Sequence, residues 1–204
     1  MKLYFTPGTC SLAPHIVLRE LGLSFELERV RLGEAPVIAS TQADYLKLNP
    51  NGYVPLLELD DGRLLTEGAA ILQYLADLAP AQGLLPAASP IERYEIMRWL
   101  VYISSELHKM FSPWLFHPEY GEQAGGVARV RIAKRLELVE HQLEGRDFLL
   151  GERFTVADAY LFAIVSWAKP CRLSLAPFPR LQAHLERVGR RESVLAALKA
   201  EKGA

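Results

Sequence analysis

The stretch from Tyr4 to Glu20, YFTPGTCSLAPHIVLRE, constrains the fold more than any other part of the chain. It begins as an apolar strand, turns at a Thr-Pro-Gly sequence and continues with apolar residues at helical spacing. Cys10 lies where the turn meets the predicted helix. A thiol at a helix start is close to free backbone N–H groups and to the positive end of the helix dipole, so we expect Cys10 to ionise more easily than a free thiol. The alternative is a small, half-buried cysteine that serves only in packing.

The first 80 residues alternate between strand-like and helix-like patterns. Their order, βαβ-α-ββα, predicts a parallel crossover followed by an antiparallel hairpin around Asp61-Gly62. Residues 33–44 are rich in small residues and are expected to form an irregular surface loop. The predicted strands are 2–5, 25–30, 56–59 and 63–66, and the predicted helices are 11–22, 44–48 and 67–79.

Residues 81–89 are predicted to be a linker, and beyond them only helical patterns remain. The sequence therefore predicts an α/β domain over 1–80 and an all-α domain over 90–204. Thr155 and Asp158 fit a capping box in front of an apolar run, which places that helix in the centre of the second domain. The predicted helices are 90–117, 124–144, 156–168, 178–188 and 192–200.

Charge and composition exclude several classes of function. The 23 basic and 24 acidic residues are interspersed, so the basic face that nucleic-acid binding requires is not expected. We predict no export signal, no membrane association and a cytoplasmic location, with Cys10 and Cys171 reduced in separate domains. The five histidines show no metal-ligand spacing, so no metal site is predicted.

Two further junctions in the first domain could bind a peptide-like ligand. A cis bond at Val54-Pro55 would turn main-chain groups of Val54 away from the sheet toward an extended ligand, although a trans proline at an edge strand is an equal alternative. At the start of the next predicted helix, Gly68 permits close approach to N–H groups and Glu67 could accept from an ammonium group. Those groups suit an α-amino-acid moiety. Alternatively, Glu67 only compensates the helix dipole.

The predicted helix 90–117 has an apolar stripe at Met97, Leu100, Leu107 and Phe111. A neighbouring face carries small and polar groups, which indicates the wall of a cleft. His108 on that face could hydrogen-bond a thiolate or a substrate, whereas most helical histidines are surface or structurally paired residues. The residues of this face are Val101, Ser104, Ser105, His108 and Ser112.

Taken together, the motifs resemble those of the glutathione S-transferases, and within them the bacterial beta class. The resemblance covers nearly the whole chain. In the first half its marks are Tyr4, Pro7-Gly8, Cys10-Ser11-Leu12, Asn49-Pro50, Gly52, Val54-Pro55, Leu65-Thr66-Glu67-Gly68, Ile71 and Tyr74-Leu75. In the second half they are Glu106-Leu107-His108-Lys109, the run Phe154 to Phe162, and Trp167.

This resemblance implies a thioredoxin-like N-terminal domain, an all-helical C-terminal domain, a homodimer, and glutathione bound as a co-substrate with a small hydrophobic electrophile. Cys10 would face the glutathione sulfur, Val54 would pair with the tripeptide backbone, and His108 with Lys109 would border the thiol. Cys10 and His108 are the predicted catalytic residues, and Tyr4 and Trp167 would shape the electrophile pocket. The predicted glutathione-binding residues are Cys10, Ser11, Val54, Pro55, Glu67, Gly68, Ser105, His108 and Lys109.

Two positions depart from the beta-class pattern. Ala35 stands where the class usually has a lysine that contacts glutathione, and Val101 stands where an asparagine is common. Both changes predict weaker binding of glutathione, or binding through other groups.

Three functions remain open from the sequence. The first is conjugation of glutathione to a small electrophile. The second is thiol–disulfide exchange or dehalogenation through Cys10, by a monothiol route because Cys10-Ser11-Leu12-Ala13 lacks a second cysteine. The third is a non-catalytic binding protein with the same fold.

Overall fold

A mixed five-stranded sheet, in the order β3-β2-β1-β4-β5, organises the first part of the chain. The structure is a computed structural model that describes residues 1–87 and 90–203. The first two strands are parallel, and every other neighbouring pair is antiparallel. The strands are β1 (Lys2–Phe5), β2 (Glu26–Arg31), β3 (Val37–Ile38), β4 (Leu56–Glu58) and β5 (Leu64–Leu65).

Two α-helices accompany this sheet, and six follow in the described residues. The first joins β1 to β2 as the crossover that a parallel pair requires. The predicted helix 44–48 is instead a short 3₁₀ turn, Tyr45–Lys47. None of the helices in the described ranges has the length and apolarity needed to cross a membrane. They are α1 (Leu12–Glu20), α2 (Gly68–Leu78), α3 (Ile91–Tyr102), α4 (Lys109–Phe111), α5 (Glu122–Gln142), α6 (Val156–Val165), α7 (Pro179–Gly189) and α8 (Glu192–Lys202).

Contacts within the chain define two compact units. The first unit contains Met1–Gly83 and the chain from Arg191 onward, and the second contains Leu84–Arg190. Helix α8 belongs to the first unit because it packs on α1, where Arg191 pairs with Glu20. The sequence instead assigned this last helix to the predicted all-α domain. The predicted domain ranges, 1–80 and 90–204, stay a prediction.

Local features also differ from the predictions in several loops and at helix ends. The expected loop 33–44 contains the short strand β3, which pairs with β2. The predicted linker 81–89 begins with a 3₁₀ turn and buries Leu84 and Leu85, while its residues 88 and 89 lie outside the described ones. The predicted helix 90–117 ends at Phe111, because Pro113 disfavours helical backbone at the residue before it.

Helix α6 is the central helix of the second unit, as predicted. All of its residues are buried, so none of them faces solvent. The capping box is confirmed, because the Asp158 carboxylate accepts from both the backbone N–H and the hydroxyl of Thr155. The predicted α/β part and helical part are therefore both confirmed as fold classes.

Candidate active site

The turn that leads into α1 is closed by its own hydroxyl groups. Thr9 Oγ1 donates to the Thr6 carbonyl at 2.8 Å, and the Thr6 N–H donates to Ser11 Oγ at 3.2 Å. Ser11 also contacts Thr9 Oγ1 at 2.8 Å, and it is fully buried. Ser11 therefore shapes the turn. The burial of its side chain disfavours the predicted contact with glutathione, which stays a prediction.

Cys10 is half-buried and meets a second predicted segment. Its Sγ donates to the carbonyl oxygen of Val54 at 3.3 Å, a contact that requires the protonated thiol. The expectation of free N–H groups around Cys10 is wrong for Leu12 and Ala13, which donate to Thr9 and Cys10 carbonyls at 3.2 Å. The turn before α1 uses those two donors itself, whereas the helix dipole still favours an anion there.

A buried polar network holds the same turn from the other side. Glu201 Oε2 accepts from the Gly8 N–H at 3.1 Å, and Glu201 Oε1 lies 3.0 Å from His15 Nδ1. Arg19 Nε donates to His15 Nε2 at 2.9 Å, so the His15 proton sits on Nδ1 and is donated to Glu201. The sequence analysis missed this network. A histidine among the apolar residues of α1 was a signal that it needed a buried partner.

The segment before Val54 is anchored through one carbonyl group. The Tyr53 carbonyl accepts from the Tyr45 hydroxyl at 2.9 Å and from Asn49 Nδ2 at 2.7 Å. Gly52, with a φ of +70°, supplies the left-handed backbone that the turn requires. The Val54–Pro55 bond is cis, which is one of the two alternatives that the sequence left open.

Glu67 precedes α2 with a φ of +67°, which is rare for any residue except glycine. Such a conformation costs about 1–3 kcal/mol and is concentrated at ligand sites. The Glu67 side chain is exposed and makes no capping bond to the helix. Its carboxylate at the helix start is compatible with binding a ligand and with compensating the helix dipole. A Cβ on Gly68 would lie 3.8 Å from Pro55, which places the α2 start beside the Val54-Pro55 segment.

Tyr4 is a core residue of the first unit. It is 5% exposed, packs with Tyr45 and Val54, and donates its hydroxyl to Glu58 Oε2 at 2.8 Å. Burial, followed by the hydrogen bond to Glu58, raises the pKa of Tyr4 well above its usual range. The structure therefore gives no support to the prediction that Tyr4 shapes an electrophile pocket.

The residues at the two positions that depart from the family pattern, Ala35 and Val101, are both exposed. Ala35 precedes Pro36, which is buried and whose carbonyl accepts from the Tyr45 N–H at 3.0 Å. The loop at Ala35 is thus tied to the residue that also anchors the Val54 segment. Val101 is 61% exposed, and its carbonyl accepts from Ser105 Oγ at 2.9 Å.

In the second unit, His108 ends a single π-helical turn, Ile103–His108, a feature frequent at functional sites. Its Nδ1 lies 2.9 Å from the Tyr160 hydroxyl. Burial, and then the charge of Lys109, lower the pKa of His108 to about 4. His108 is therefore a neutral imidazole near pH 7, and it can form hydrogen bonds but not an ion pair.

Aromatic rings surround Trp167, another predicted site residue of this unit. Its ring centroid lies 5.0 Å from that of His108, 6.0 Å from Phe111 and 5.2 Å from Phe116. Trp167 is 6% exposed, whereas Phe116 is 43% exposed. Tyr160 and Phe116 are contacts of the predicted site that the sequence analysis missed, because Tyr160 lies within an apolar run that indicates only a core helix.

Asp158 accepts several hydrogen bonds in the second unit. Besides its contacts with Thr155, its Oδ1 accepts from the Leu149 N–H and lies 2.9 Å from His184 Nε2. Asp158 and His184 are both fully buried. These contacts give Asp158 a structural role.

The structure thus joins some predicted residues within each unit. In the first unit Cys10 meets Val54, and Gly68 lies beside Pro55. In the second unit His108 contacts Trp167, while Ser105 and Lys109 are exposed on the same stretch of helix. Across residues 1–87 and 90–203, no group of three or more His, Cys, Asp or Glu side chains is arranged to hold a metal ion.

Comparison with known proteins identifies the family. Residues 8–78 match the glutathione S-transferase N-terminal domain, and residues 96–192 match the C-terminal domain of the same proteins. Glutathione S-transferase GstA of Escherichia coli O157:H7 is 45% identical over 98% of each chain. The chain therefore belongs to the glutathione S-transferase family.

Solved structures agree with this conclusion. A ternary complex of BphK, a bacterial glutathione S-transferase, is 51% identical, covers 99% of this chain and 100% of that one, and has a TM-score of 0.96. A sphingomonad enzyme complexed with glutathione is 42% identical over 100% of both chains, with a TM-score of 0.94. A beta-class enzyme of Sphingomonas chungbukensis is 40% identical over 98% of both chains, with a TM-score of 0.93. The resemblance to the bacterial beta class is confirmed.

Proposed function

We propose that the protein conjugates the thiol of glutathione, its co-substrate, to small apolar electrophiles. The observation that carries the proposal is the 3.3 Å contact between Cys10 Sγ and the Val54 carbonyl, because it joins two motifs of the family in one place. In the reaction the glutathione sulfur forms a bond to an electrophilic carbon and the leaving group departs with its electron pair. The thiol proton passes to solvent.

The first unit supplies the groups that would bind glutathione. The N-terminus of α2 offers backbone donors to the γ-glutamyl carboxylate, and the exposed Glu67 carboxylate can accept from its ammonium group. The positive φ of Glu67 supports this role, since strained backbone persists where a ligand site requires it. Val54 would pair with the tripeptide main chain, and Cys10 would border its sulfur.

The second unit supplies the groups that would meet the thiol and the electrophile. Neutral His108 would stabilise the thiolate by a hydrogen bond, with Ser105 and Lys109 as neighbouring polar groups. Trp167 and the rings around it form an apolar wall suited to a flat electrophile. Tyr4 lies in the core of the first unit and is not part of the proposed wall.

We also propose that the enzyme is a cytoplasmic homodimer. Exposed apolar residues follow helical spacing along α3, at Ile91, Tyr94 and Val101, which are 69%, 57% and 61% exposed. A stripe of that kind is typical of a surface covered by another chain. Neither Cys10 nor Cys171 forms a disulfide within the described residues, which suits a reducing compartment.

Turnover of an aryl halide such as 1-chloro-2,4-dinitrobenzene, together with retention on immobilised glutathione, tests the function. We expect turnover and retention for the unmodified enzyme. Cys171→Ala is the matched control for Cys10→Ala and should leave turnover and retention unchanged. Retention without turnover would favour a non-catalytic binding protein. Stoichiometric addition of one glutathione at Cys10 with no conjugate formed would favour thiol–disulfide exchange. The absence of both retention and turnover would contradict the proposal.

A further inference from the structure

Tyr160 is fixed in α6 with its hydroxyl against His108. It is 3% exposed, and its oxygen lies 2.9 Å from His108 Nδ1. The two rings are 6.1 Å apart and almost perpendicular, at 89°. Trp167 packs edge-on against the same imidazole at 5.0 Å, so two rings restrict how His108 can turn.

A neutral imidazole carries its proton on one nitrogen only, and a hydrogen bond at the other nitrogen selects which one. A phenolic O–H is a stronger donor than a neutral imidazole N–H. The Tyr160 hydroxyl therefore donates to Nδ1, which leaves the proton on Nε2. With that proton, Nε2 can donate to a thiolate sulfur, whereas the other tautomer would present a lone pair to it.

We propose that Tyr160 is a positioning residue that holds His108 as the Nε2–H tautomer, in one ring orientation, so that Nε2 donates to the glutathione thiolate. This inference rests on the proposed function, because it assigns a task to His108 in activating the thiol. In this role Tyr160 acts through His108 and needs no contact of its own with either substrate. The low pKa of His108, about 4, is consistent with a residue that donates a hydrogen bond without exchanging its proton near pH 7.

Tyr160→Phe tests the proposal because it removes only the hydroxyl and keeps the ring. Nitrogen-15 NMR of the labelled imidazole at pH 7 should show His108 as the Nε2–H tautomer in the unmodified enzyme and as a mixture in the variant. The pKa of bound glutathione, followed by thiolate absorbance, should rise by about one unit in the variant, which corresponds to a tenfold smaller ionisation constant. The KM for glutathione should change less than kcat.

Tyr102→Phe is the matched control, because it removes a hydroxyl that donates to the Arg135 carbonyl at 3.0 Å in the same unit. It should leave the His108 tautomer and the thiol pKa unchanged. An Nδ1–H tautomer in the unmodified enzyme would overturn the proposal even if Tyr160→Phe failed to fold, and so would an unaltered tautomer in a folded Tyr160→Phe.

His108→Ala separates this proposal from the proposed function. If His108→Ala leaves the thiol pKa and turnover unchanged, His108 has no part in activation, and both its catalytic role and the proposed task of Tyr160 fail. If His108→Ala raises the thiol pKa but Tyr160→Phe does not alter the tautomer, the function stands and only the role of Tyr160 fails.

Discussion

Each unit buries a histidine against a carboxylate, and the two pairs are built differently. His15 in the first unit uses both ring nitrogens, with Glu201 and with Arg19. His184 in the second unit contacts Asp158 through Nε2, while its Nδ1 has no hydrogen-bond partner among the described residues. The first network also reaches the turn that carries Cys10, through the Gly8 N–H. We infer that the pair of His184 and Asp158 serves only the stability of the second unit. The pair of His15 and Glu201 also couples the stability of the first unit to the turn that carries Cys10.

Removal of the Asp158 carboxylate should have the largest effect. Asp158→Ala leaves the Leu149 and Thr155 N–H groups and His184 without their acceptor in a buried place. We expect a loss of about 3–5 kcal/mol in the free energy of unfolding, measured by urea denaturation. Asp147→Ala is the control, because Asp147 pairs with Arg187 at an exposed position and should cost less than about 1 kcal/mol. Equal costs would contradict the structural role of Asp158.

Glu201→Gln should have a smaller effect on stability but should also reach Cys10. The two carboxylate oxygens of Glu201 face two donors, the Gly8 N–H and His15 Nδ1. A glutamine side chain has one oxygen and one NH₂ group, so its NH₂ group would face one of these donors without an acceptor between them. We expect a loss of about 1.5–3 kcal/mol and faster alkylation of Cys10, because a loosened turn exposes the half-buried thiol more often. Glu192→Gln, at an exposed position of the same helix, should change neither. Destabilisation without any change at Cys10 would break the proposed coupling.

The two cysteines should differ by at least about tenfold in reactivity at pH 7, because thiolate content and access both govern the rate. Cys10 is half-buried at the start of α1, whereas Cys171 is 6% exposed. Burial raises the pKa of the Cys171 thiol, so its thiolate fraction near neutral pH is small. Pulse alkylation with peptide mapping should label Cys10 first. Equal or reversed labelling would refute this difference.

Ala35→Lys should have the smallest effect. The lysine would offer one ammonium group to the glycine carboxylate of glutathione, and in an exposed loop such a contact is worth about 1 kcal/mol. Calorimetry should show glutathione binding tightened by about fivefold, since 1.4 kcal/mol is one decade. Turnover at saturating glutathione should stay nearly constant, because the contact is similar in the ground and transition states. Ala35→Gln is the uncharged control, and an equal gain with glutamine would exclude the charge as the cause.

The features that could be predicted are those that depend on residues close together in the sequence. Helical and strand periodicity located the sheet, α2 and α6, and the spacing of Thr155 and Asp158 predicted the capping box. The π-helical turn that ends at His108 was missed, because a single extra residue in a turn leaves the apolar pattern almost unchanged. Glu201 was missed because its partner His15 lies 186 positions away, and no local pattern encodes such a pair.

The burial of Ser11 and Tyr4 was also missed, for a related physical reason. Both were assigned to the site because they lie in family motifs, and a motif does not say which of its side chains face inward. Ser11 satisfies its hydroxyl inside the turn, and Tyr4 satisfies its hydroxyl on Glu58. A buried polar group needs such partners, and only the structure shows them.

We propose that glutathione binds to the Cys10, Val54 and Gly68 segments and that the electrophile meets the aromatic group around Trp167. An amide and indole NMR titration with glutathione, and then with its S-(2,4-dinitrophenyl) conjugate, tests it most directly. We predict that both ligands shift the backbone signals of Cys10, Val54 and Gly68, and that the conjugate shifts the Trp167 indole N–H far more than glutathione does. Unchanged backbone signals of these residues with glutathione, or equal effects of both ligands on Trp167, would contradict the account.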